Sequence, residues 1–239
     1  MASENGEENR SWVGCTLLGQ SVSAATIERI EQTGIRHTYE KGQEIIGRAD
    51  ELKDVYLLVS GFARVIVYSA SGKAVNFRRL ETGSLFGEFS AIDGLNRSAS
   101  VEAVEHCRAI SFSAQLFHEL MQNDPRFMRF VLSHLVSILR SLTSRIIEYS
   151  TLGVTSRIQT ELLRMAHAAH GGGPQKEISP APTHSEIAGR ISTHREAVSR
   201  EVSRLKQMGI LERRGRSLIV RDVEKLEQMV RNASGEQSD

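Results

Sequence analysis

The sequence predicts an α+β fold with an antiparallel β-roll, one long helix and a small C-terminal domain. Three observations support this prediction. Short β-branched and aromatic runs with glycine turns fill residues 35–112, and an unbroken apolar heptad follows Pro125. Two Ser/Thr-x-x-Glu motifs then lie ten residues apart near the C-terminus. The first pattern is typical of strands, the second of a coiled-coil helix and the third of paired helix starts.

Length and composition set broad limits. The chain has 239 residues, 40% hydrophobic and 25% charged, enough for one large or two modest domains. No run approaches the roughly 18 apolar residues of a membrane helix, so we expect no membrane contact. Residues 1–20 are polar and acidic at their start, and they are expected to form a flexible tail rather than a signal peptide. Cys15 and Cys107 lie far apart without metal-ligand spacing, which favours a cytoplasmic protein without a bound metal.

Residues 21–124 are expected to form the β-roll, a jelly-roll-like barrel. A short helix over 22–34 ends at Gly34, after which strand-like runs begin. The clearest runs are VYLLV, FARVIVY and AVNFRRL. Short strands with regularly spaced glycine turns are typical of an antiparallel sandwich or barrel. A Ser/Thr-Gly pair recurs every eleven residues, at Ser60-Gly61, Ser71-Gly72 and Thr82-Gly83.

Residues 125–152 are predicted to form one long dimerisation helix. After Asp124-Pro125 the apolar positions follow steps of four and three, which is the heptad pattern of a two-helix coiled coil. We expect this seam to meet a second copy of the chain, with a purely intramolecular helix as the alternative. The seam consists of Met128, Leu132, Leu135, Leu139, Leu142, Ile146 and Tyr149.

Residues 153–239 are expected to form the C-terminal domain. Gly153 separates the long helix from another amphipathic helix over 155–169 and is a candidate hinge. After a Gly/Pro-rich break at 170–182, THSE (183–186) and THRE (193–196) both match the capping-box pattern. Two such close starts leave a first helix of about seven or eight residues and a short turn before the second helix, as in a helix-turn-helix.

The second of these helices is amphipathic in a way that suits the major groove of DNA. Arginine can donate two hydrogen bonds to guanine, and glutamate can accept one from cytosine. Residues 183–221 contain nine Lys/Arg and four Asp/Glu, so positive charge is concentrated there. A solvated basic helix face is the alternative. Val198, Val202 and Leu205 share one face of the helix, and Arg195, Glu196, Ser199, Arg200 and Ser203 share the opposite face.

The segment LERRGRSLIV is predicted to form a β-hairpin with Arg213, Arg214 and Arg216 at its tip, where they could meet phosphates. Together these patterns predict an interface for double-stranded DNA. For Glu196 a purely helix-capping role remains the alternative to base reading. The predicted DNA-binding residues are Thr183, His184, His194, Arg195, Glu196, Ser199, Arg200 and Arg214.

A short run in the β-roll, LFGEFSAIDGLNRSASVEA (85–103), places Glu88 and Arg97 among small and apolar residues. Two interpretations are open. The two side chains could form a structural ion pair, or they could bind a ligand with hydroxyls at one end and an anion at the other.

Two segments carry a resemblance to a known family. FGEFSAIDGLNRSASV resembles the phosphate-binding cassette G-E-(x)n-R-[ST]-A, and EIAGRISTHREAVSREVSRL is similar to the recognition motif E-I-A-x-x-[IV]-G-x-[ST]-R-E-x-V-S-R. Both belong to the CRP/FNR family of bacterial transcription regulators, and the resemblance spans about residues 20–221. It implies a cyclic-nucleotide-binding β-roll, a dimerisation helix and a winged helix-turn-helix. Ser192 replaces the turn glycine of the family, and His194 replaces a Ser or Thr.

The resemblance also implies a ligand site. Glu88 would accept from the ribose 2′-hydroxyl, and Arg97 and Ser98 would bind the cyclic phosphate. Leu142 stands where a threonine is usual in the best-studied type, and Ser98 could donate to a guanine. The resemblance therefore favours cAMP and leaves cGMP open, as in the Clr type of receptor. The site residues implied are Gly87, Glu88, Phe89, Arg97, Ser98, Thr143 and Ser144.

The function implied is allosteric transcription regulation by a homodimer that binds palindromic DNA and contacts RNA polymerase. We expect no enzyme, because the sequence has no nucleophile–base pair and no phosphate-binding loop of the Walker type. The alternatives are a nucleotide-independent regulator, a haem or gas sensor, and an oxygen sensor, for which only Cys15 is available near the N-terminus. In another class, the β-roll would regulate a fused enzyme or a kinase partner.

Overall fold

The computed structural model describes residues 12–14, 16, 18, 21–68, 74–169 and 175–234. Most of the predicted tail, Cys15, the Ser71-Gly72 turn and residues 170–174 lie outside these ranges. Val13 and Leu18 are fully buried in the N-terminal core, so the prediction of a flexible tail is wrong for this part of it. The two apolar side chains pack into the core and so hold this part of the segment against the β-roll.

The N-terminal part is a β-sandwich built as the sequence predicts. Its two antiparallel four-stranded sheets have the orders β1-β8-β3-β6 and β2-β7-β4-β5. The three predicted strand runs correspond to β3, β4 and β5, and Gly61 and Gly83 have the positive φ of 87° and 89° that their turns require. The elements are α1 (Ala24–Thr33), β1 (Ile35–Tyr39), β2 (Glu44–Ile46), β3 (Val55–Ser60), β4 (Ala63–Tyr68), β5 (Ala74–Leu80), β6 (Leu85–Phe86), α2 (Glu88–Asp93), β7 (Ser100–Ala103), β8 (Cys107–Phe112) and α3 (Ala114–Asn123).

Asp124 fixes the start of the long helix against α1. Its buried carboxylate accepts hydrogen bonds from Thr26 Oγ1 at 2.5 Å, from the Ser23 N–H at 3.1 Å and from the Arg126 N–H at 2.8 Å. Burial alone would raise the pKa of this carboxyl, but these hydrogen bonds hold the pKa well below its usual range. Asp124 therefore joins α1 to the long helix.

The long helix α4 (Pro125–Thr151) has 27 residues. Phe127 and Val131 are buried in the N-terminal core. By length and composition alone α4 could cross a membrane, although the sequence shows no unbroken apolar run of that length. One such helix is weak evidence for a membrane protein. Most of the predicted seam is exposed in the single chain, at Met128, Leu132, Leu139, Ile146 and Tyr149.

The C-terminal part contains the predicted helix pair followed by a hairpin. Its core includes Ile158 and Leu162 of α5 and Val198, Val202 and Leu205 of α7. A short strand, β9, forms within residues 170–182, which the sequence predicts to be a break. It pairs with β11. The elements are α5 (Val154–Ala168), β9 (Lys176–Ile178), α6 (His184–Arg190), α7 (Arg195–Gln207), β10 (Leu211–Arg214), β11 (Ser217–Val220) and α8 (Val223–Ser234).

One of the two predicted capping boxes is present. Thr183 and Glu186 exchange both hydrogen bonds at the start of α6. At the start of α7 the N-cap residue is His194, with no side-chain cap, so the prediction of a box at 193–196 is wrong. Ser192 has a φ of 51°, and Thr193 is buried with its N–H bonded to the Ala188 carbonyl. Thr193 is therefore part of the turn, and α7 starts one residue later than the sequence predicts.

The chain divides into two compact units, residues 1–139 and 140–239. The division falls inside α4, at none of the three limits expected from the sequence, which lie at 20/21, 124/125 and 152/153. The expected limits at 124/125 and 152/153 are the two ends of α4. The division at 139/140 falls within the helix because its first part has its contacts in the first unit and its last part in the second.

Candidate functional site

Gly87 is the turn from β6 into the short helix α2. Its φ of 80° is left-handed, so the chain can reverse between Phe86 and Glu88 without the clash that a Cβ would cause. Gly94, with a φ of 72°, ends α2 in the same way. Two glycines seven residues apart thus confine a short helix whose first residue is Glu88.

Arg97 is a buried guanidinium held by backbone oxygens. Only 5% of the residue is exposed. Nη1 donates to the Gly87 carbonyl and Nη2 to the Asp54 carbonyl, each at 2.8 Å. Nε is buried without a hydrogen-bond partner among the described residues. Burial lowers the pKa of Arg97, but an arginine side chain stays charged in proteins. An anion could accept a hydrogen bond from the remaining N–H donors of the guanidinium.

Glu88 is buried beside Arg97 without pairing with it. The residue is 3% exposed, and its Oε1 lies 3.4 Å from His134 Nε2 of α4. Among the ion pairs of the described residues, none joins Glu88 to Arg97. The structural ion pair that the sequence left open is therefore absent from this part of the chain. A buried carboxylate and a buried guanidinium stand separately, which suits a ligand that offers a hydroxyl and an anion.

The other predicted site residues are placed in two groups. Phe89 and Ser98 flank Glu88 and Arg97 in sequence, and both are exposed. Thr143 and Ser144 are exposed on the part of α4 that belongs to the second compact unit. The structure thus brings together Gly87, Glu88 and Arg97.

Three residues that border this site were not predicted. Asp54 supplies a carbonyl to Arg97, His134 lies beside Glu88, and Arg78 lies beside His134. Strand alternation could have indicated Arg78, since its neighbours in β5 are exposed and Arg78 is half-buried. Helical spacing could have indicated His134, which follows buried Phe127 and Val131 at steps of four and three. No sequence signal marks a backbone carbonyl such as that of Asp54.

The second candidate site is the exposed face of α7. Arg195, Glu196 and Arg200 are exposed there, Ser199 is half-buried, and His194 is exposed at the N-cap. By contrast Glu201 lies on the inner side, where it accepts from Gln159 at 2.7 Å and pairs with Arg204. The helix therefore separates a face engaged in the protein interior from a face available to another molecule.

The surroundings of α7 are strongly basic. Burial lowers the pKa of His184, and the positive charges of Lys206, Arg195 and Arg213 lower it further. The hairpin carries exposed Arg213, Arg214 and Arg216, although Arg214 also pairs with Glu212 at 3.3 Å. Thr183 is exposed, and its side chain accepts a hydrogen bond from the Glu186 N–H in the capping box. This concentration of cations suits a polyanion.

Comparisons with known proteins match both halves of the chain. The family model "Cyclic nucleotide-binding domain" matches residues 36–124, and the model "Crp-like helix-turn-helix domain" matches residues 156–229. The chain belongs to the CRP/FNR family of transcription regulators. The CRP/FNR members that it matches are transcription regulators and not enzymes.

Named relatives support this assignment, and solved structures share the fold. The "cAMP-activated global transcriptional regulator CRP" of Salmonella typhimurium is 25% identical and covers 85% of this chain and 98% of its own. The "Cyclic AMP receptor protein" of Thermus thermophilus is 28% identical, with 81% and 87% covered. The fold is similar to a CooA mutant from Carboxydothermus hydrogenoformans, with a TM-score of 0.73, 22% identity and 85% and 90% covered. CLP from Xanthomonas campestris has a TM-score of 0.72, 21% identity and 83% and 99% covered.

Among the described residues, no group of three or more His, Cys, Asp or Glu side chains could hold a metal ion.

Proposed function

We propose that this CRP/FNR-family protein is a cytoplasmic homodimer whose binding to palindromic DNA depends on a cyclic nucleotide. The observation that carries the proposal is the separation of two buried opposite charges, Glu88 and Arg97, at one glycine turn. Burying a charge is costly unless it is paired or hydrogen-bonded. Glu88 and Arg97 do not pair with each other, and Arg97 Nε has no hydrogen-bond partner in the described part of the chain, which supports a ligand that binds both side chains.

A cyclic nucleotide has the chemistry that these two groups require. Its phosphate carries one negative charge, for which a guanidinium is well suited, and Arg97 Nε has no hydrogen-bond partner within the part of the chain that the structure describes. Its ribose 2′-hydroxyl can donate to the Glu88 carboxylate. We favour cAMP, as in the relatives whose names specify cAMP, and keep cGMP as the alternative because Ser98 is exposed and could donate to a guanine.

The dimer would form along the exposed seam of α4. Apolar side chains repeated every three and four residues on a solvent-exposed face favour a parallel pair of helices. Thr143 and Ser144 on the same helix are the proposed contacts to the base. Gly153, at the N-cap of α5, is the proposed hinge.

DNA binding would use α7 in the major groove and the hairpin at the phosphates. Arg195, Glu196 and Arg200 are proposed to contact bases, and His194, Ser199 and Arg214 are proposed to contact the backbone. In a dimer, two such helices about one helical turn apart would meet a palindromic site. RNA polymerase is the expected partner of the DNA-bound dimer.

Calorimetric titration with cAMP and cGMP tests the ligand part of the proposal. We expect the wild-type protein to bind at least one of them, and R97Q to bind it at least about tenfold more weakly, since a charge-assisted hydrogen bond contributes about 1.5–3 kcal/mol. R64Q is the matched control, because Arg64 is a half-buried arginine of the same β-roll that pairs with Glu102. Equal affinities of R97Q and R64Q would contradict the proposal.

A further inference from the structure

The carboxylate of Glu88 lies next to the imidazole of His134, which in turn lies next to the guanidinium of Arg78. His134 Nε2, on α4, is 3.4 Å from Glu88 Oε1. The same Nε2 is 3.5 Å from Nη1 of Arg78, which extends from β5. One imidazole nitrogen therefore lies between a carboxylate and a guanidinium.

That nitrogen cannot satisfy both neighbours. With a proton, Nε2 can donate to Glu88 but then opposes the Arg78 donor. Without a proton, Nε2 can accept from Arg78 but then leaves Glu88 without that donor. Both distances are longer than those of a well-formed hydrogen bond. The cluster therefore has two alternative arrangements. Which one forms depends on whether Glu88 accepts a hydrogen bond from His134.

His134 is a residue of the long helix and packs against a neighbouring turn of it. Its ring stacks on Phe130, one turn earlier, at 6.4 Å between centroids and an interplanar angle of 4°. Phe127 and Val131 of the same helix face are buried in the N-terminal core. His134 therefore lies on the packed face of α4, the helix that also carries the exposed apolar seam.

We propose that His134 is a positioning residue that couples ligand binding at Glu88 to the long helix. This inference rests on the proposed function. When a ribose hydroxyl donates to Glu88, the carboxylate no longer needs the His134 donor. Nε2 then accepts from Arg78, with the ring proton on Nδ1, and the ring is drawn from Glu88 towards β5.

The test separates ligand binding from coupling. For wild-type protein, H134L and H134Q, calorimetry gives the Kd for cAMP and for cGMP, and fluorescence anisotropy gives the DNA Kd without and with saturating nucleotide. The ratio of the two DNA affinities is the coupling factor, which is about 5- to 150-fold in typical allosteric proteins. H106L is the matched control, because His106 faces Glu40 at 3.2 Å on the surface of the β-roll.

We expect H134L to bind nucleotide within about threefold of wild type and to lose at least about fivefold in coupling factor. H134Q should also lose coupling, because its amide can donate to Glu88 and accept from Arg78 together and therefore lacks the two alternative arrangements between which a ligand could select. H106L should keep the wild-type factor. A wild-type coupling factor in both folded His134 variants would overturn the inference alone. A wild-type protein that binds neither nucleotide would overturn the proposed function, and this inference with it.

Discussion

The Nη1 atom of Arg97 lies 2.8 Å from the Gly87 carbonyl oxygen, and a Cβ added to Gly87 would lie 2.9 Å from the same Nη1. The added carbon would also lie 2.9 Å from the Asp54 carbonyl oxygen, the second acceptor of Arg97. The absence of a side chain at residue 87 therefore makes room for the buried guanidinium.

G87A should weaken nucleotide binding. We expect a loss of at least about tenfold, because the methyl group displaces the guanidinium that we propose to bind the phosphate. G42A is a matched control: Gly42 has a φ of 85°, like the 80° of Gly87, but nothing lies within 4 Å of an added Cβ. Both variants should lose about 1–2 kcal/mol of unfolding free energy from backbone strain. Equal nucleotide affinities of the two variants, measured by calorimetry, would contradict this account of Gly87.

I146R should dissociate the proposed dimer. A charge within the apolar seam would be left without a partner between the two helices, so we expect a monomer by sedimentation at concentrations where the wild type sediments as a dimer. I35R is the control, because Ile35 lies on β1 and is 60% exposed, close to the 65% of Ile146. A dimeric I146R would place the interface elsewhere.

R200A should reduce specific DNA binding by about 1–3 kcal/mol and relax the base preference at one position of each half-site. The reason is that Arg200 lies on the exposed face of α7, where we propose base contact. R231A is the control, since Arg231 is an exposed arginine of α8 that pairs with Glu227. Selection from a randomised DNA library checks this prediction, and unchanged base preference in R200A would oppose it.

The C-terminal unit should become more stable as the pH rises through the range where His184 titrates. Burial and three nearby cations lower the pKa of His184 from its ordinary 6.5, so the unfolded chain binds this proton more readily than the folded chain. Between the lowered pKa and about 6.5, the free energy of unfolding therefore increases with pH.

H184Q should remove this contribution. Urea unfolding from about pH 5 to about pH 8 would give a smaller slope for H184Q than for wild type. H167Q provides a comparison, because His167 is an exposed histidine of α5 that pairs with Glu227. Identical slopes of wild type and H184Q would show that His184 carries no such proton linkage.

Local sequence patterns predicted most of the fold. Strand runs, the heptad after Pro125 and the capping box at Thr183 each depend on residues close in sequence, and the structure has all three. The three-residue strand β9 escaped prediction because its formation depends on pairing with β11, about forty residues later. Thr193 was assigned the wrong role because the left-handed turn at Ser192 moves the helix start by one residue.

The candidate site was predicted in part. Glu88 and Arg97 lie in one short motif, which made them visible in the sequence. Arg78 and His134 come from a strand and a helix that the fold brings to Glu88, and their contacts depend on tertiary packing. The backbone oxygens that hold Arg97 depend on chain geometry alone, which no residue type encodes.

The most direct test of the central claim is selection from a palindromic DNA library by purified protein without nucleotide, with cAMP and with cGMP. The account predicts enrichment of a palindrome only in the presence of a cyclic nucleotide. Enrichment with cAMP alone would favour Thr143 and Ser144 as adenine contacts, and enrichment with both would favour Ser98. The same enrichment with and without nucleotide would contradict the proposed role of Glu88 and Arg97.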